Sequence, residues 1–121
     1  MREGKICILD DDPSVLRSLK ELLSSDDFEA EAFDDPEKFL EYVRAHAVRL
    51  AILDVWMPRQ SGIELQEQLH HLSPESRVII ITGREEPAIR LLALNGGAFA
   101  FLSKPVDAEA FLASVRGALA E

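Results

Sequence analysis

The chain has 121 residues, 47% of them hydrophobic, and a formal charge of −9 from 13 basic and 22 acidic side chains. That length suits one domain with one sizeable core, and the composition is that of a globular chain, not a disordered one. The acidic balance argues against a nucleic-acid or anionic-membrane surface on this domain, and no apolar run approaches the ~20 residues that a membrane helix needs.

Met1-Arg2-Glu3-Gly4-Lys5 leads into a short apolar run, too short for a signal peptide. Lys5 to Leu9 reads as a first strand, buried on both faces because the run is continuous. It contains Cys7, the single cysteine, read as an inert core thiol; without a second cysteine there is no disulfide framework, which suits the cytosol and a cytoplasmic location. Asp12-Pro13 is a helix cap followed by proline at the first helical position. The helix runs to about Ser24 with Val15, Leu16, Leu19, Leu22 and Leu23 on its apolar face.

Phe28 to Phe33 alternates, as a strand with one wetter face at a sheet edge does. Asp35-Pro36 repeats the cap-and-proline signal and opens a second helix to about Ala47, with Phe39, Leu40 and Val43 inward. Leu50 to Asp54 is a third, buried strand. Ser61-Gly62-Ile63-Glu64 has capping-box spacing and starts a third helix ending near His71, with Ile63, Leu65 and Leu69 inward. Arg77 to Thr82 is the most β-branched run in the chain and reads as a fourth strand. Pro87 opens a fourth helix through Leu94, stopped by Asn95-Gly96-Gly97. Phe99 to Leu102 is a short fifth strand. Asp107 caps a last helix carrying Phe111, Leu112, Val115 and Leu119. Five strands alternating with five helices predict an α/β fold: a parallel sheet covered on both faces.

The residues at the strand ends carry the chemistry. Asp10-Asp11 comes directly after the first strand, Asp54 ends the third, Thr82 ends the fourth and Ser103-Lys104 comes after the fifth. In a parallel sheet these positions share one edge, where open α/β sheets put their sites. Clustered carboxylates repel one another unless a cation intervenes. Oxygen ligands without a His or Cys cluster point to magnesium, or manganese, held by Asp11 and Asp54. Lys104 adds a positive charge and Thr82 a hydroxyl. A carboxylate so placed is suited to form an aspartyl phosphate, a reaction that depends mainly on positioning and charge stabilisation.

Four segments carry a resemblance over essentially the whole length: Ile8-Leu9-Asp10-Asp11-Asp12; Leu53-Asp54-Val55-Trp56-Met57-Pro58 followed by Ser61-Gly62; Ile81-Thr82-Gly83; and Phe101-Leu102-Ser103-Lys104-Pro105. In this order and spacing the sequence resembles the receiver domains of two-component response regulators, with residues 1–121 as one receiver domain. The resemblance implies a flavodoxin-like (CheY-like) five-stranded parallel sheet of order 2-1-3-4-5 with five flanking helices, an arrangement for which a chemotaxis receiver is a known example. It implies Asp54 as phosphoacceptor, and Asp10 (through water), Asp11, Asp54 and the Trp56 backbone carbonyl as magnesium ligands. It implies Thr82 as the switch hydroxyl, Phe101 as the switch aromatic residue, Lys104 as the contact to a phosphoryl oxygen, and a cis Lys104-Pro105 bond. Side chains at Trp56 and Arg84 would influence decay of the phosphate, and the Trp56 indole is expected to shield it and lengthen its lifetime.

The implied partners are a sensor histidine kinase or a histidine phosphotransfer protein, with a phosphorylation-dependent homodimer through the fourth helix, fifth strand and last helix; Ile89, Leu92 and Phe101 are candidates on that face. The domain itself would bind no nucleic acid and no membrane. It would not act as an enzyme on a separate substrate, only on its own phosphorylation and dephosphorylation. The output would be a transcriptional regulator with a DNA-binding domain elsewhere; a stand-alone shuttle or adaptor receiver is the alternative.

Other residues have plainer readings. Asp12 is a cap, Glu85 and Glu86 belong to a solvated helix start, and His46, His70 and His71 sit near helix ends, where the dipole suits them. One rival remains. Asp10-Asp11-Asp12-Pro13-Ser14 fits the D-x-D-x-[ST] opening of haloacid-dehalogenase-type phosphatases, with Asp10 as nucleophile and Asp12 as general acid. That reading leaves Asp54-Val55-Trp56-Met57-Pro58 without a purpose, and the acids soon after the lysine, Asp107 and Glu109, sit at a helix start where the further acidic motif of that family is needed.

Overall fold

The computed structural model describes residues 5–120. Among them, strands and helices alternate: β1 (Lys5–Leu9), α1 (Pro13–Ser25), β2 (Ala30–Phe33), α2 (Pro36–Ala45), β3 (Val48–Asp54), α3 (Gly62–Leu72), β4 (Arg77–Thr82), α4 (Pro87–Asn95), β5 (Ala100–Ser103) and α5 (Ala108–Leu119). The strands form one parallel sheet in the order β2-β1-β3-β4-β5, as the resemblance implied.

The alternation of side chains along buried strands sorts the core into two layers. Cys7, Leu9, Ala51, Leu53, Val78 and Ile80 face α2, α3 and α4, meeting Phe39, Leu40, Val43, Leu65, Leu69 and Ala93. Ile6, Ile8, Leu50, Ile52, Ile79 and Ile81 face α1 and α5, meeting Leu19, Leu23, Phe111 and Val115. The middle residues of the central strands are therefore apolar on both faces. β2, at one edge, keeps Glu31 and Ala32 exposed.

Local signals act where the sequence places them. Asp12, Asp35 and Asp107 each accept a backbone N–H in the first turn of α1, α2 and α5, and Ser61 and Glu64 form the reciprocal capping box of α3. Gly97 closes α4 in the left-handed region, at φ 98°.

Several boundaries differ from the sequence reading. β2 begins at Ala30, because the N–H of Phe28 turns back to the Leu23 carbonyl at the end of α1. β3 begins at Val48, not Leu50, and α2 correspondingly ends at Ala45. Arg49 is admitted to the strand because its guanidinium donates to the Leu119 carbonyl, 2.8 Å away. β5 is shifted one residue, so that Thr82 pairs with Ser103. The Lys104-Pro105 bond is cis.

Candidate functional site

Strand register builds the site. Leu9 pairs with Leu53, so the next residues, Asp10 and Asp54, stand side by side at the ends of β1 and β3. Asp54 pairs in turn with Ile81, which puts Thr82 one step further along the same edge. The Lys104 N–H donates to the Thr82 carbonyl at 2.8 Å, bringing the loop after β5 to that edge. Asp10 and Asp54 are buried, at 2% and 4% exposure, whereas Asp11 is exposed. Oxygens of these three carboxylates lie within 4.8 Å of one another, an all-oxygen set that fits a hard divalent cation.

Lys104 joins the two buried acids. Its Nζ is 2.8 Å from Asp10 Oδ2 and 3.1 Å from Asp54 Oδ1. Burial alone would lower the Lys104 pKa; the hydrogen bond and charge of Asp10, then those of Asp54, outweigh it and hold the ammonium above its usual range. Asp54 shows the opposite balance. Burial, then the charge of Asp10, push its carboxyl up to about 6 against the pull of Lys104. Two acids and one ammonium leave the pocket short of positive charge, which is the condition a metal ion would relieve.

Asp10 is also anchored by backbone, accepting the Asp12 N–H at 2.9 Å. The Asp12 side chain points elsewhere: it accepts the Ser14 N–H at 2.9 Å, and that bond lowers its pKa. This is the expected cap, and it gives Asp12 no contact of a general acid. On the other flank, Gly62 packs against the acceptor strand. A Cβ on Gly62 would stand 2.2 Å from the Asp54 carbonyl oxygen. The Ser61-Gly62 pair starts a helix, and its glycine is also what lets α3 approach the back of Asp54.

Thr82 is fully buried, and its hydroxyl is engaged within its own loop. It donates to the Arg84 carbonyl at 2.9 Å and accepts the Arg84 N–H at 3.1 Å. The same carbonyl accepts the Trp56 indole N–H at 3.2 Å, and the Arg84 guanidinium lies 4.1 Å from the centre of the Trp56 ring. The structure thus gathers Asp10, Asp11, Asp54 and Lys104 into one cluster and ties Thr82 and Trp56 into a second one around residue 84. The sequence singles out each of these residues, but no sequence signal marks a shared backbone acceptor. Phe101 belongs to neither cluster. Its ring is buried, at 7% exposure, with the Arg90 guanidinium 5.3 Å from its centre, so it does not contribute to the outer face expected of it. Leu91, Leu92 and Leu94 on α4, and Phe99 just before β5, are exposed, while Ile89 packs partly against the core. Cys7 is sealed in the core, and burial, with the charge of Glu31, pushes its thiol up to about 12.

Comparison with known proteins covers the same span. A family model described as the response regulator receiver domain matches residues 6–116. The chain is 37% identical over 118 residues to the response regulator protein TodT of Pseudomonas putida, covering 98% of this chain and 52% of that protein. It is 31% identical to the response regulator MprA of Mycolicibacterium vanbaalenii, covering 95% and 50%. The chain thus spans about half the length of the curated relatives it matches. Among solved structures, a receiver domain protein from Methanospirillum hungatei superposes with a TM-score of 0.90 at 31% identity, covering 97% of this chain and 94% of that one. The beryllofluoride-activated NtrC4 receiver domain dimer superposes with a TM-score of 0.91 at 28% identity, covering 95% of each chain.

Proposed function

Because the chain belongs to the response regulator receiver domain family, we propose that it accepts a phosphoryl group on Asp54 from the phosphohistidine of a sensor kinase or histidine phosphotransfer protein. The observation that carries this reading is the buried Asp54 carboxylate at a strand end, with Asp10, Asp11 and Lys104 gathered around it. An Asp54 oxygen would attack phosphorus in line. As the new P–O bond forms, the P–N bond to the donor imidazole breaks, and its electron pair stays on the imidazole nitrogen, which takes up a proton. Lys104 would follow the charge: its ammonium, now between Asp10 and Asp54, is placed to meet an oxygen of the arriving group. Asp10, Asp11, Asp54 and the Trp56 carbonyl would hold magnesium, which when bound supplies positive charge to the phosphoryl oxygens. Thr82 would donate its hydroxyl to the phosphoryl group after leaving Arg84. Return to the resting state needs only water, which attacks phosphorus and releases inorganic phosphate and the Asp54 carboxylate. No separate substrate is turned over.

The donor's seat is supported by a groove of about 710 Å³ between α1 and the loop after β5, lined by Val15, Leu19, Leu22 and Val106 and ending at Lys104. Output would leave through α4, β5 and α5. On α4, Leu91 and Leu92, 61% and 54% exposed, offer apolar surface to a second copy or an output domain. Control of transcription in the cytoplasm is the proposed end point. Among the described residues, no helix is long and apolar enough to cross a membrane.

Incubation with acetyl phosphate and magnesium, followed by intact mass, tests the assignment. Wild type should gain one phosphoryl mass and Asp54→Ala none. No gain by wild type, or an equal gain by the variant, would overturn it.

A further inference from the structure

In the cluster around residue 84, the Arg84 and Trp56 side chains are given no part in holding phosphate, yet they surround Thr82, the residue that must move. The Thr82 backbone is locked in the sheet edge: Thr82 pairs with Ser103, and its carbonyl accepts the Lys104 N–H. Its hydroxyl can therefore be redirected mainly by rotation of its own side chain. That rotation gives up two hydrogen bonds, one to the carbonyl and one from the N–H of Arg84. Both bonds last only while residue 84 stays where it is.

Residue 84 lies outside β4 and α4, in an exposed loop after Gly83. Trp56 holds it on two sides. The indole N–H donates to its carbonyl, and the indole face carries its guanidinium. Glu86 Oε2, 3.4 Å from the Arg84 Nε, steadies the guanidinium from the other side. We propose that this Trp56–Arg84 clasp is a latch on the resting position of Thr82, and that both are positioning residues which set how readily the site closes on a phosphoryl group. The inference rests on the receiver function proposed for Asp54 and Thr82.

The clasp also has a contrary effect. The indole N–H keeps the Arg84 carbonyl hydrogen-bonded after Thr82 leaves, which would ease departure. That benefit is small, because residue 84 is exposed and water can take the vacated place. Pinning the loop is the larger effect, since nothing in solvent substitutes for a stacked guanidinium.

Beryllofluoride, a stable mimic of the phosphoryl group, tests the latch by NMR titration in saturating magnesium. Trp56→Phe removes the indole N–H and keeps a ring; Arg84→Met removes the guanidinium and keeps the chain. Each should bind beryllofluoride about threefold to tenfold more tightly than wild type, the size expected for losing one neutral hydrogen bond in Trp56→Phe or one exposed cation–π contact in Arg84→Met. The Thr82 methyl resonance should also move, before any beryllofluoride is added, toward its bound position. The double variant should gain little over either single one, because both act through residue 84. Unchanged or weaker binding in both variants, with the Thr82 methyl unmoved, would overturn the latch while leaving the function standing; a purely structural role would lower stability without moving either readout. Tighter binding in Trp56→Phe alone would also overturn it, since a latch needs both halves. Failure of wild type itself to bind beryllofluoride at Asp54 would overturn the latch together with the function beneath it.

Discussion

The Asp10–Asp54–Lys104 cluster and the Thr82–Arg84–Trp56 cluster share one sheet edge but are held in opposite ways. The first is charged, buried and placed by strand register; each acid comes directly from a ladder pair. The second is built from hydrogen bonds to one carbonyl in an exposed loop. Removing a partner from the first leaves a buried charge uncompensated, which is costly. Removing one from the second releases backbone that water can solvate. Under the proposed function, the phosphoacceptor and its charges would fall to the part fixed by register, and control of Thr82 to the part that can be released.

Removal of Lys104 should have the largest effect. Lys104→Met takes away a charge aimed at the reacting oxygens, and losses of this kind lower rates by about 100-fold or more. Acetyl phosphate incorporation, monitored by intact mass over time, should show that fall. Urea denaturation at pH 7 without divalent metal should also show a loss of about 2 kcal/mol, because two buried carboxylates then face each other alone. A variant phosphorylated at the wild-type rate would mean that the charged cluster is scaffolding.

Gly62→Ala probes the same cluster from behind. The added methyl meets the Asp54 carbonyl oxygen at 2.2 Å and its carbon at 2.9 Å, and both are backbone atoms of a buried strand, unable to step aside. Overpacking of this sort costs about 2–3 kcal/mol, readable as a lower urea midpoint. Phosphorylation should fall as well, since relief requires either Asp54 or the start of α3 to shift.

The raised pKa of Asp54 has a consequence of definite sign. Its folded value is about 6, above the value near 3.9 of an unfolded aspartate. Between those values the folded state holds more proton, so stability falls as pH rises through that window and the penalty is complete above it. Asp54→Asn removes the penalty. In metal-free buffer it should be more stable than wild type by about 2 kcal/mol at pH 7, with the difference vanishing below about pH 4. Magnesium should narrow the gap at pH 7 by stabilising the ionised carboxylate of wild type alone. Equal stabilities across the whole range would remove the electrostatic account of the pocket.

The same division separates the features legible in the sequence from those that are not. β1 and β4 match their expected limits, because continuous apolar runs bounded by polar residues leave little choice. The acids and Lys104 are visible because alternating strands and helices imply a parallel sheet whose strand ends share one edge; the strand order that sets Asp10 beside Asp54 comes only with the family resemblance. Arg49 shows where the pattern stops: a charge inside β3 is tolerated through a carbonyl 70 positions away, which no local window contains. Phe101 shows it again, since an aromatic residue on an edge strand gives no sign whether its ring points out or lies under an arginine. The shared carbonyl of Arg84 is the extreme case, because backbone acceptors carry no sequence identity.

The smallest effect is expected at Asp12, and its smallness is informative. Asp12 touches the charged cluster only through its N–H, which donates to Asp10; its carboxylate serves α1. Any residue supplying the same N–H should leave phosphorylation of Asp54 unchanged. Asp12→Ser should also keep the cap, because a serine hydroxyl can accept the Ser14 N–H. Asp12→Ala should lose some stability, seen as a lower thermal midpoint, with the phosphorylation rate still within about twofold of wild type, the spread expected for a change outside the reacting groups. If Asp12 were instead the general acid of a phosphatase, both variants would lose their chemistry together. Retention of acetyl-phosphate labelling in Asp12→Ser and Asp12→Ala, beside its loss in Asp54→Ala, would separate an acid that is merely adjacent to the site from the one that reacts.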